Sequence, residues 1–446
     1  MLLVQQIAFI LISGTAIWLF SRNIMRIRKN ILLGKDEDFS DQPGKRWKNL
    51  LLLAFGQKKM FRNPLVAALH FFIYAGFVII NLEVLEIFLD GILGAHRLFI
   101  PMGMIYNWLI NIFEWLALAV LIACVVFLCR RNILKLRRFR SHDLDGWPRS
   151  DANYILITEI ILMTLFLTMN ACDTLLQQRG YGDFANHWDN NVMLTKWIHP
   201  DFIVSNWLYP LLNGFSNRHL EILGRTCWWL HITGIFAFLN YLPYSKHLHI
   251  LLAFPNAYFA RLWAEGRMRN MKSVQQEVLY AMQPELAPAE ASGNPKFGAR
   301  DVFDLSWRNL LDAYACTECG RCTAACPANI TGKKLSPRKI MMDTRDRLEE
   351  VGRNQRANGS FKDDGKQLLR DYISVEELRA CTSCNACVEE CPVSISPLEI
   401  ILELRRSLVM EDSDAPPEWN TMFGNIENNF APWKFSPDER DAWKNG

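Results

Sequence analysis

Eight of the 12 cysteines in this 446-residue chain fall in two short runs. One reads Cys316-Thr-Glu-Cys319-Gly-Arg-Cys322-Thr-Ala-Ala-Cys326-Pro327, the other Cys381-Thr-Ser-Cys384-Asn-Ala-Cys387-Val-Glu-Glu-Cys391-Pro392. Each has the spacing C-x2-C-x2-C-x3-C-P of a bacterial ferredoxin. Three thiolates on a tight turn bind three corners of an iron–sulfur cube, while the fourth Cys, opening the next helix, reaches the other cube. Cys316, Cys319, Cys322 and Cys391 are therefore expected to hold one [4Fe–4S] cluster, and Cys381, Cys384, Cys387 and Cys326 the second. A structural zinc ion takes four ligands, usually in two pairs, and has no use for the duplicated ending. Neither run continues as Cys-His, so nothing signals a covalent c-type haem. Metal spacing instead of scattered disulfide spacing implies a reducing compartment for this half.

The second set of chemical residues lies in apolar surroundings. His70, His231 and His249 sit within or beside long hydrophobic stretches. A polar ring in hydrocarbon is expensive and is a functional hypothesis by default. Neutral imidazole from two helices is what an axially ligated haem requires, and the plain alternative is a hydrogen-bonded ring. On a regular helix the 18 residues from His231 to His249 make five full turns and put both on one face. His247 would then be turned away, and Pro243 is a point where the helix can kink. Glu114 and Glu159 lie deep enough to face a quinone or a proton path. Glu83 and Glu86 are expected toward the outer end of their helix, reaching the interface, and Trp228-Trp229 in an interfacial belt. Cys124, Cys129, Cys172 and Cys227 read as small hydrophobes, with Cys172 and Cys227 at similar depth, where a disulfide is the alternative.

These residues need two kinds of scaffold. Five stretches, roughly 3–20, 65–90, 104–129, 153–175 and 226–252, are long and apolar enough to cross a bilayer. The stretch from Arg22 to Arg62 carries 11 Lys and Arg and that from Arg130 to Arg149 carries 7, whereas 91–103 carries only Arg97 and 176–225 only Arg179, Lys196, Arg218 and Arg225. Positive loops stay inside, which places the N-terminus outside and residue 253 onward in the cytoplasm. The first six residues carry no positive charge, so the first helix reads as a retained anchor rather than a signal peptide. Residues 251–446 hold 25 Lys and Arg against 29 Asp and Glu. That balance argues against a nucleic-acid-binding face. The Pro, Ala and Gly around 280–300 mark a linker, and the segments between and after the cysteine runs are helix-prone.

The stretch from His231 through Pro243-Tyr-Ser245-Lys246 to His249 resembles the last helix of the respiratory nitrate reductase gamma subunit family, and Asn63 to His70 resembles its second. That family holds two haems b between helices two and five, so the resemblance implies His70 and His249 as axial ligands of one haem b near the cytoplasmic face. A second His follows ten residues after the first in that family; here the position is Ile80, leaving His231 to serve a second haem or a quinone. The cysteine half resembles the all-α ferredoxin domain of heterodisulfide reductase small subunits and succinate dehydrogenase iron–sulfur subunits. Taken together, residues 60–446 resemble heterodisulfide-reductase-like membrane oxidoreductases, nearest the electron-transfer-flavoprotein:menaquinone oxidoreductases and, further off, sulfite-reductase-linked membrane subunits. Longer members continue into cysteine-rich CCG domains, whereas no Cys follows Cys391 here.

The resulting expectation is an all-α protein: a five-helix transmembrane bundle, N-out and C-in, followed by a cytoplasmic α-helical dicluster ferredoxin domain. Its parts are a haem b membrane domain (1–255), a linker (256–300), a ferredoxin domain (301–411) and a C-terminal tail that could dock a partner (412–446). The resemblance implies electron transfer between a cytoplasmic partner and menaquinone or another quinone in a bacterial inner membrane. The catalytic module would be a separate chain, a CCG-domain iron–sulfur subunit or an electron-transfer flavoprotein. A different class of function, a membrane iron–sulfur assembly or maturation factor, would have no need of the three histidines.

Overall fold

A computed structural model describes residues 2–134, 136–181, 202–264, 266–288 and 296–445; Lys196 and residues 289–295 of the expected linker lie outside them. Five helices are long and apolar enough to cross a membrane: Leu3–Ile31, Pro64–Leu93, Met104–Asn132, Trp147–Gln178 and Asn217–Tyr244, the last including a closing 3-10 turn. At 1.5 Å per residue the 30-residue second helix is ~45 Å long, enough for hydrocarbon and headgroups together. Its ends follow from local chemistry. Asn63 caps the start by accepting from the Val66 N–H, Pro64 fills the first turn, and Gly94 at φ 69° ends it.

The helices pack as a bundle in which two lies on three, three on four, four on five, and one against two and five. Phe9, Ile110, Phe113, Phe166 and Ile232 fill its interior, while Leu65, Ile105 and Trp108 remain exposed on the outward faces, as lipid contact requires. Trp228 turns inward onto Phe9 and is 8 % exposed, so it belongs to the core and not to an interfacial belt.

Two boundaries differ from expectation. The first helix continues past residue 20 to Ile31, and its last turn leaves the bundle to meet the cysteine half. The fifth helix starts at Asn217 and stops at Tyr241; Leu242–Tyr244 and Lys246–Leu248 are 3-10 turns, and a separate helix runs His249–Tyr258. Pro243 has no N–H to continue the ladder, so the chain turns there and does not merely kink.

The cysteine half is built from short helices around a small apolar core of Leu310, Ile340, Leu348, Ile400 and Leu404. No strand occurs among the described residues. Its construction is twofold. A serine caps the helix before each cysteine run, Ser306 for Trp307–Ala315 and Ser374 for Val375–Ala380, each in a reciprocal capping box. A Ser-Pro pair starts the helix after each run, Pro337–Asn358 and Pro397–Met410.

The two halves are docked. Lys35 exchanges backbone hydrogen bonds with Leu305 and Trp307, and a Cβ on Gly34 would lie 2.7 Å from the Trp307 nitrogen, so only glycine allows this approach. Arg338, fully buried, is clamped by Asp143 at 2.7 Å; Arg261 bridges Glu37 at 2.5 Å and Glu399 at 2.9 Å; Asn30 donates to the Tyr314 hydroxyl at 2.8 Å.

Candidate electron-transfer site

The two cysteine runs interlock as their spacing requires. Cys322 lies within electrostatic reach of Cys316, Cys319 and Cys391, and Cys387 within reach of Cys381, Cys384 and Cys326. Each fourth cysteine has thus crossed to the other run's set. Cys316, Cys319, Cys322 and Cys391 line one apolar cavity together with Cys387. Among the described residues no group of three His, Cys, Asp or Glu side chains is arranged for a single metal ion. Burial pushes the Cys316, Cys387 and Cys391 thiols up to about 12. They become thiolates only when a cation compensates, which is the condition of a cluster site. Backbone N–H groups of Ser383 and Ile395 donate to the Cys381 and Cys391 sulfurs at 3.4 and 3.3 Å, ready to stabilise negative charge there.

The two sets differ in position. The first faces the bundle. Glu318, two residues past Cys316, is 5 % exposed and bridges Lys246 at 2.5 Å and Arg345 at 2.8 Å. Although burial opposes it, Arg345 and Lys246 hold the Glu318 carboxyl below its ordinary range. Gly320, at φ 72°, lets the turn press onto the loop between helices three and four: a Cβ there would meet Arg338 Nη1 at 2.6 Å and the Arg138 carbonyl at 3.3 Å. In the second set Cys384 is the exposed member.

The histidines meet at the same junction. His70 and His249 lie within electrostatic reach of each other, and the His247 and His249 ring centroids are 5.6 Å apart. The regular-helix argument that turned His247 away fails because the chain breaks at Pro243. Hydrogen bonding separates the two rings. His249 Nδ1 donates to the Lys246 carbonyl at 3.0 Å, and His70 Nδ1 to Gln57 Oε1 at 3.1 Å. Anchoring Nδ1 fixes the tautomer and leaves Nε2 as a free lone pair, the arrangement of a metal-ligating imidazole. His231 is anchored likewise, donating to the Leu162 carbonyl at 3.0 Å, but it is alone, packed near Phe166 with Ile80 in the same core. The donor set therefore fits one bis-His haem at the junction.

The carboxylates sort differently from the expectation. Glu83 and Glu86 do not reach an interface; they are 2 % and 1 % exposed inside the bundle's far end. There Arg97 donates to Asp173 at 2.9 Å, Asn170 at 2.6 Å and the Tyr106 hydroxyl at 3.2 Å, and pairs with Glu83 at 3.5 Å. Glu86 accepts from Tyr106 and from the Phe99 N–H. Glu114 accepts from Asn170 at 3.0 Å, from the Val204 N–H at 2.8 Å and from Ser205. Glu159, beside Cys124 in mid-bundle, has no hydrogen-bond partner among the described residues. Cys172 and Cys227 are neighbours but free thiols. Sequence reasoning missed Gln57, which holds His70, and Lys246 and Arg138, whose roles depend on contacts across the junction.

Two interlocked four-thiol sets docked to a bundle of membrane-length helices suit [4Fe–4S] centres, and the comparisons with known proteins agree. Residues 315–395 match the 4Fe-4S dicluster domain family. The chain is 26 % identical to the probable iron-sulfur-binding oxidoreductase FadF of Bacillus subtilis, over 99 % of this chain and 61 % of that protein. It is 26 % identical to the EtfAB:quinone oxidoreductase of Syntrophomonas wolfei over 92 % of this chain and 56 % of that one. A probable membrane-anchored ferredoxin of Chromohalobacter salexigens is 32 % identical over 40 % of this chain and 27 % of its own. The chain thus spans 61 % and 56 % of the lengths of the first two relatives. No solved structure matches.

Proposed function

We propose that this chain carries electrons between a cytoplasmic redox partner and the quinone pool, menaquinone first among the candidates, with two [4Fe–4S] clusters on the two thiol sets and one haem b on His70 and His249. When bound, these groups supply one-electron carriers. The chain supplies their ligands, the N–H donors at Cys381 and Cys391, and the docking that brings the first thiol set against the bundle. The observation that carries the haem assignment is the shared state of the two rings, each with Nδ1 anchored on an oxygen and Nε2 free, at the junction end of the bundle.

Exposed Cys384 marks where a soluble partner approaches. A CCG-domain iron–sulfur subunit or an electron-transfer flavoprotein suits that place, the second being what the name of the Syntrophomonas relative says of that protein. The basic loops favour a cytoplasmic ferredoxin half in a bacterial inner membrane. Glu114 has its acceptor capacity taken, so His231 and unpaired Glu159 are the better quinone candidates.

The test is spectroscopic. Anaerobically purified protein should contain about eight iron and eight sulfide in the clusters per chain, plus one low-spin haem b. His70→Ala or His249→Ala should abolish the haem spectrum, while His231→Ala keeps it and slows quinone turnover. Zinc in place of iron would overturn the cluster assignment. Two haems per chain, one lost in His231→Ala, would overturn the quinone role of that ring.

A further inference from the structure

Beside the His70 face lies a cavity of about 280 Å³ between the two halves. Three arginines line it, from three separate elements: Arg62 just before the second helix, Arg138 in the loop between helices three and four, and Arg321 between Cys319 and Cys322. One carboxylate, Glu390, shares the wall and is already taken by Arg62 at 2.7 Å. Arg62 also pairs with Glu389. Arg321 donates only to the Lys59 carbonyl, at 3.3 Å, and Arg138 Nε is buried with no hydrogen-bond partner. Neither Arg138 nor Arg321 has a carboxylate partner among the described residues. Two uncompensated guanidinium groups facing one partly enclosed space are costly unless an anion completes them. Guanidinium matches a carboxylate or phosphate through paired N–H donors.

Val66 forms part of the cavity wall, and His70 follows it by four residues, so the ring stands one turn along the same face of the helix. Arg321 is within electrostatic reach of that ring. We propose that Arg138 and Arg321, with ion-paired Arg62 on the same wall, form a clamp for the propionate carboxylates of a haem seated on His70 and His249, a proposal that rests on the haem assignment above. Arg321 then has two neighbours: it belongs to the turn holding Cys319 and Cys322, and it reaches toward the haem carboxylates. The clamp is a tuning device: two positive charges beside a bound haem would favour its reduced form. A phospholipid phosphate is the other oxyanion that a cavity at this level could take.

The experiment uses the full chain purified in detergent, read by spectroscopic redox titration and by analysis of co-purified phospholipid. Arg138→Gln with Arg321→Gln should keep the bis-His spectrum but lower the haem midpoint by about tenfold in the reduction equilibrium, ~59 mV for one electron. Arg138→Lys in the Arg321 wild-type background should recover most of the shift that Arg138→Gln alone produces, because charge is restored. Arg218→Gln, at the far end of the bundle, should leave the midpoint unchanged. Retained cluster absorbance shows that the variants have folded; if the double variant loses it, the single Arg138 pair decides. An unchanged midpoint with haem retained would overturn the clamp, and an unchanged midpoint with loss of bound phospholipid would assign the cavity to a lipid headgroup. A wild-type protein without haem would overturn the haem assignment itself, and the clamp with it.

Discussion

The two ends of the bundle both bury polar side chains, and they treat them in opposite ways. At the far end, Arg97 is ringed by Asp173, Glu83, Asn170 and Tyr106, and Glu114 holds the Val204-Ser205 backbone, so nearly every donor and acceptor is used. At the junction end, His70 and His249 each keep one ring nitrogen free, and Arg138 keeps a buried N–H without a partner. Buried polar groups that satisfy one another fix a structure; buried groups held in place but left incomplete await a ligand. Depth in the membrane does not separate these cases, and partner count does. Among the described residues at that end, Glu83 Oε2 and Gln177 Oε1 are buried acceptors without a partner.

The largest expected contrast comes from removing one charge at each end. Arg97→Ala leaves several carboxylates facing one another in a low-dielectric interior, and breaking such a pair costs about 3–5 kcal/mol. Unfolding in detergent by SDS titration should show that loss, or the variant should fail to accumulate. His70→Ala should leave an assembled but haem-free bundle. If Arg97→Ala were as stable as wild type, the far end would not be the structural anchor. A smaller loss is expected for Glu114→Gln. The amide keeps one acceptor but presents N–H donors to the Val204 N–H or the Ser205 hydroxyl, leaving a buried mismatch of about 1–3 kcal/mol. The same titration measures it, and quinone turnover at saturating quinone should be unchanged; a turnover defect at full stability would return Glu114 to the quinone site.

How much of this was legible beforehand depends on how local the information is. The dicluster domain was readable because cysteine spacing is a short-range property, carried here by two C-x2-C-x2-C-x3-C-P runs. The five spans were readable because lipid imposes length and hydropathy. The relation of His231, His247 and His249 was misread because 100° per residue holds only while the helix continues, and Pro243 ends it. Glu83 and Glu86 were misread because Arg97, a lone basic residue in an outer loop by charge counting, folds back with φ 53° to meet them. The docking of the halves was invisible, since Arg338 and Asp143 are 195 residues apart in sequence.

The docking contacts supply the finest test of the comparison. They are satisfied, like the far end, although they adjoin the junction end. Burial opposes ionisation of Asp143, but hydrogen bonding and charge from Arg338 hold its carboxyl below the ordinary range, and Arg261 does the same for half-buried Glu37. A carboxylate whose folded pKa is depressed contributes stability that is fully present above its unfolded value, about 3.9 for Asp and 4.3 for Glu. That contribution is lost only as pH falls through the lower folded value. The gap in stability between wild type and Asp143→Asn, about 1–3 kcal/mol for a buried charged hydrogen bond, should therefore stay constant from pH 8 to pH 5. Histidines and other groups titrate in that window, but they do so in both proteins and cancel in the difference. A gap that narrows between pH 7 and pH 5 would mean that Asp143 is not held ionised by Arg338, and that the junction is closed by something other than satisfied ion pairs.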